Sequence, residues 1–154
     1  VIEYRAASST RFAKLDLIPF LESNLPGYVQ LIATELNTAI QAPVKYLYGW
    51  RDPFAMQQDT VVVMSSRTEM NREDMAKRHR VLLVLVAVGG KPDEAEVRVS
   101  AWADALQNLI ERDGDLGGTC FGSRFEEATW LASPAGAERM SIVTVRIEST
   151  LSSL

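Results

Sequence analysis

Residues 80–88 read "RVLLVLVAV", eight apolar residues in unbroken succession behind one arginine. Side chains of a strand point alternately to opposite faces, so a run with no polar alternation needs cover on both sides. A membrane helix would need about 20 such residues. The "GGKP" that follows stops the run after Val88. The stretch is therefore predicted to be the central strand of a sheet.

Downstream, "PDEAEVRVSAWADALQNLIERD" (92–113) reads as a helix. Pro92 suits the first turn, and Asp93, Glu94 and Glu96 complement the positive end of the helix dipole. Ala95, Val99, Trp102, Ala105, Leu106 and Leu109 recur at helical spacing and form its predicted buried stripe. Gly114 stands where a left-handed C-terminal cap belongs. "SRFEEATWLAS" and "RMSIVTVRIEST" then read as two strands around the turn "PAGAE". In the second, Val143, Val145 and Ile147 alternate with Thr144, Arg146 and Glu148, which predicts an antiparallel or outer strand.

Upstream, Leu15, Ile18, Leu21 and Leu25, then Tyr28, Leu31, Ile32, Leu36 and Ala39, predict one broken helix or two consecutive ones across 13–40. Pro19 bends it or delays its start, and Asn24 with Pro26 offers a second cap and first turn. "VKYLYGW" (44–50) and "TVVVMSS" (60–66) have the β-branched and aromatic content of strands. Residues 67–77 read as a connection or a short helical turn, and 1–12 as a loose arm or a helix cap. The fold class predicted is α+β, one domain over 1–154 with a single mixed, mostly antiparallel sheet and helices packed on one face.

Composition narrows function. With 154 residues, 47% hydrophobic and 23% charged, the chain has the make-up of a globular domain. Charges interrupt "VIEYRAASSTR" where a signal peptide would place its apolar core. A net charge of −4 is the wrong sign for a dedicated nucleic-acid binder. "KRHR" (77–80) is the one basic cluster and reads as a solvated mixed-charge loop.

Each candidate for chemistry has a plainer explanation. "DGDLGGTC" (113–120) follows a helix, whereas a phosphate loop follows a strand. "VGGKP" has the strand and lysine, but Pro92 replaces the hydroxyl that would hold magnesium. Gly117 and Gly118 read as turn residues free to take positive φ. Cys120, the single cysteine, would be a nucleophile only beside His79, the single histidine. The default readings are a small buried hydrophobe for Cys120 and a solvated strand edge for His79. No GxSxG elbow presents a serine, and one His with one Cys makes a poor zinc set. Adjacent Glu126 and Glu127 would face opposite sides of a strand instead of pairing. No cofactor is expected.

The tryptophans divide between core and surface. Trp102 belongs to the helical stripe, while Trp50 and Trp130, at strand ends, suit either core or interface. The predicted loops 49–59 and 67–78 carry Phe54, Met56, Met70 and Met75 among polar residues, as buried anchors or as partner contacts.

The strand "RHRVLLVLVAVGG", running into "PDEAEVRVSAWADALQNLIERDGDLGGTCFG", resembles the tail terminator (tail completion) proteins of long-tailed bacteriophages. In that family a strand leads into an acidic-start, Ala-rich helix that ends in a D-x-x-LGG turn. Here the turn is Asp113 to Gly118, with Leu116, Gly117 and Gly118 matching. The likeness spans residues 79–150, and the chain before Pro43 departs most from the pattern. It implies a non-enzymatic virion protein forming a hexameric ring that caps the tail tube and meets the neck. Implied partners are copies of itself, the tail tube protein and a neck or connector protein, with DNA passing through unbound and no membrane. A heterologous ring needs two different complementary patches on each subunit. Candidates are the arm and the two loops, with Trp50, Arg51, Phe54, Met56, Met70 and Met75. Asp113 and Asp115 are candidates for the pore lining. Two alternatives stay open: another neck or connector-completion protein, and a small cellular enzyme or ligand-binding domain with a cleft near Cys120 and His79.

Overall fold

The computed structural model describes residues 13–49, 56–71, 76–118, 120, 122–132 and 139–150. The arm 1–12, the predicted turn "PAGAE" (134–138) with Ser133 before it, and Trp50, Arg51, Phe54 and Met75 lie outside the described residues. A π-helical turn (Ala13–Leu17) leads into α1 (Ile18–Leu36), followed by β1 (Lys45–Tyr48), β2 (Thr60–Asn71) and β3 (Ala76–Ala87). Then come α2 (Pro92–Arg112), β4 (Gly122–Ala132) and β5 (Arg139–Thr150). One five-stranded sheet has the order β1-β2-β3-β5-β4, with β1 and β2 parallel and every other pair antiparallel. The α+β class and the mixed, mostly antiparallel sheet are as predicted.

The central strand is third of five and covered on both faces. Val81, Leu83, Leu85 and Ala87 join the main core with α1 and α2, while Val84 and Val86 are buried with Val62 on the opposite face. Met56, Met64 and Val88 pack over that second cluster. Both helices therefore lie on one face of the sheet. All six predicted stripe residues of α2 are buried, and Trp102 anchors the helix by donating its indole N–H to the Gln41 carbonyl at 2.8 Å.

Four expectations need correction. First, α1 is continuous through Pro26, and Asn24 is no cap: its amide donates to the Phe20 carbonyl at 2.8 Å, one turn back. The buried set is Ile18, Leu21, Leu25, Val29, Ile32 and Ala33, whereas Leu15, Leu31 and Leu36 are exposed. Continuous α-geometry from Ile18 turns Val29 inward, where a restart at Asn24 would have favoured Leu31 and Leu36. Second, residues 67–71 and 76–78 are strand, so β2 and β3 form one long hairpin with a bulge between Ser65 and Arg67. Third, "KRHR" is part of β3, and His79 is fully buried. It shares the parity of Val81 and Leu83 and so falls on the helix side. Fourth, Gly114 is not the left-handed residue. The helix ends at Arg112 with Asp113 as its cap, and in the turn positive φ occurs at Leu116 (50°), Gly117 (72°) and Gly118 (84°).

Candidate assembly surfaces

The turn after α2 is held by its own backbone and one carboxylate. Asp113 Oδ1 accepts from the Gly117 N–H at 3.2 Å, and the Asp113 carbonyl accepts from the Leu116 N–H at 2.9 Å. The Asp115 carbonyl accepts from the N–H groups of Gly118 (3.1 Å) and Cys120 (3.2 Å). Leu116 drives its side chain into the core at 1% exposure, which holds a non-glycine residue in left-handed geometry. A Cβ on Gly117 would stand 3.3 Å from the Phe20 ring. The carboxylate of Asp113 is thus engaged inside the turn, while Asp115 is exposed.

Cys120 follows this turn, half-buried. Its thiol lies 3.5 Å from the Gly122 carbonyl and 3.7 Å from that of Gly114, to which it can donate. Burial first, then the negative charge of Asp115, pushes it up to about 12. A nucleophilic cysteine needs its thiolate, and here the thiol holds its proton. The opposite end of α2 is likewise closed to a phosphate. Glu94 turns its own carboxylate back onto the Lys91 N–H at 3.2 Å, and Arg98 donates to the Val88 and Gly89 carbonyls, each at 2.9 Å. A cleft of about 670 Å³ opens where α1 ends, lined by Gln30, Thr34, Asn37, Thr38 and Gln41 with apolar neighbours, none of them titratable. Among the described residues no group of three or more His, Cys, Asp or Glu could hold a metal ion. No helix among them is long and apolar enough to cross a membrane.

Of the predicted interface residues, Met56 is half-buried against the second apolar cluster, and Met70 sits on β2 with Lys77 as its register partner. Trp130, on β4, is 47% exposed.

Two features escape sequence reading. One is a row of four arginines across the sheet, since register aligns Arg67 with Arg80, Arg80 with Arg146, and Arg146 with Arg124. Like charges directly opposite repel. Glu126, the extra residue of the β4 bulge, answers Arg80 with oxygens at 3.0 and 3.4 Å. The other is a buried clasp centred on Asp59. Its carboxylate accepts from the Val88 N–H at 2.8 Å and lies 3.3 Å from Arg98 Nε, while its carbonyl accepts from Val44 and Lys45. One aspartate thereby ties the start of β1, the end of β3 and the first turns of α2. Sequence offered no signal for either, because the partners lie 13 to 66 residues apart along the chain.

No protein-family model matches the chain, and no curated protein matches it. Among solved structures it is similar to a chain from the "Virion of native gene transfer agent (GTA) particle", with 15% identity and a TM-score of 0.43. That likeness covers 83% of this chain and 92% of the other; at this distance it carries no argument for function.

Proposed function

We propose that this protein is a non-enzymatic structural component of a phage-like virion, of the tail-terminator type. In this reading it assembles as a hexameric ring that caps the tail tube and joins it to the neck. The observation that carries the reading is the continuous unit from β3 through α2 and the LGG turn to β4. The resemblance to tail terminators rests on this segment, and here it is the structural centre of the molecule: a central strand, its acid-capped helix, and a turn locked by Asp113 and Leu116. The chemistry of Cys120 supports it, since a thiol held near 12 favours packing over nucleophilic catalysis.

In such a ring the proposed subunit contacts include the segment from Trp50 to Met56, Met70 on β2, and Met75 in the segment between β2 and β3. Asp113 and Asp115 are the proposed pore-lining acids, Asp115 offering its carboxylate to solvent and Asp113 orienting the turn. Partners in this reading are further copies of the chain, the tail tube protein and a neck or connector protein. Native mass spectrometry of the purified protein, with negative-stain imaging of the same sample, tests it. Six-fold rings with a central hole are expected, and loss of the protein should give unjoined or overlong tails. Normal joined particles made without it would defeat the proposal.

A further inference from the structure

The two edges of the sheet are built differently, and the difference points to a pairing. β4 is an edge strand of eleven residues, and among the described residues nothing pairs with its outer side. Its first half carries the devices that blunt an edge: a bulge at Glu126 and the charges of Arg124, Glu126 and Glu127. Its second half, Ala128–Ala132, reads "ATWLA", with no charge, no bulge, and Trp130 at 47% exposure. Such an edge is a template for an added strand.

We propose that the outer edge of β4 at Ala128–Ala132 pairs with β1 of a second copy of this chain. The proposal rests on the ring reading above and says how the ring closes. β1 is the opposite edge of the same sheet, so the contact is heterologous and repeats around a ring. Following the ladder from β1 to β4, the strands run parallel once and antiparallel three times, so β1 and β4 point in opposite directions. Rotation about an axis along the strands preserves direction, and a neighbour's β1 therefore meets β4 antiparallel. The same rotation keeps each cross-strand row level. One row runs Leu47, Val62, Val84, Ile142, Thr129, and the next runs Tyr46, Val61, Leu85, Ser141, Trp130. The neighbour's Leu47 then stands opposite Thr129 and its Tyr46 opposite Trp130, an aromatic cross-strand pair of the kind that stabilises sheets. Lys45 is the one charge on β1, and β4 sets no cation against it in this half.

Cysteine cross-linking tests the register. Within one chain the two edges stand four strand spacings apart, about 19 Å, beyond the reach of a disulfide. Leu47→Cys with Thr129→Cys, in a Cys120→Ala background, should give a ladder of covalent oligomers under mild oxidation, and each single-cysteine variant should stay uncross-linked. Trp130→Lys and, separately, Thr129→Lys should raise the concentration needed for assembly at least tenfold with an unchanged circular dichroism spectrum. Rings from the unmodified protein, with no ladder and no effect of either lysine, overturn the edge pairing and leave the ring reading standing. An unmodified protein that stays monomeric up to millimolar concentration overturns both.

Discussion

At the scale of single residues, burial decides what the few reactive groups can do. Cys120 holds its proton to about 12, so alkylation by iodoacetamide at pH 8 should run roughly a thousandfold slower than for a free thiol. Parity of the two rates would refute the burial argument. Tyr46 is raised to about 12 by burial and then by Glu22, and its hydroxyl finds no partner among the described residues. Tyr46→Phe removes that unmet group and should stabilise the protein by about 1 kcal/mol, read from urea unfolding. Both groups bind their protons more tightly folded than unfolded, so the unfolded chain ionises first as pH rises. These two groups leave stability unchanged below pH 9.0, the thiol's ordinary value, and should lower it from there toward about 12. Tyr46→Phe should shrink the loss above pH 10.0. The Asp59 clasp is worth more than any exposed pair. Asp59→Ala leaves Arg98 largely buried without its carboxylate and should cost about 3 kcal/mol. The Asp59→Ala, Arg98→Met double variant should recover part of that loss; a double variant less stable than the single one would show the clasp is not a coupled pair.

At the scale of elements, local signals were reliable where the period was long and misled where two codes competed. α2 carries its N-terminal proline, its acidic first turn and a clean stripe, and each survives in the fold. α1 was harder to read because Asn24-Leu25-Pro26-Gly27 imitates a cap and a restart. Tertiary packing of Leu25 and Val29, both essentially buried, holds the helix through the proline. Pro26 supplies no N–H to the carbonyl one turn back, so Pro26→Ala should stabilise the protein by about 1–2 kcal/mol, after allowing for the freer unfolded chain. Thermal melts read this directly, and a lower melting temperature would mean the proline itself is needed for packing. At the turn, Gly117→Ala combines positive φ with the nearby Phe20 ring and should cost about 1–2 kcal/mol. The β2–β3 hairpin was hidden for a different reason. The charge-rich stretches 67–71 and 76–80 look like loop, yet in the sheet they are register partners, with Glu69 opposite Arg78 and Arg67 opposite Arg80.

At the scale of the whole molecule, one core cluster joins both helices to β2, β3 and β5, so the protein should unfold in a single transition. Helical circular dichroism and tryptophan fluorescence should trace coincident urea curves; separate midpoints would divide the core into independent parts. The sequence by itself determined the class of fold, the order of elements, the centrality of β3 and the buried face of α2. These follow from apolar period and capping chemistry, which are properties of neighbours along the chain. It also carried the turn that prompts the terminator reading. Only the tertiary structure decided that His79 is core, that four arginines share one row, that Asp59 and Arg98 form a clasp, and that the uncharged second half of β4 lies at a sheet edge. The reason is physical: strand order and register bring together residues far apart in the chain, and a one-residue slip would send every side chain to the other face.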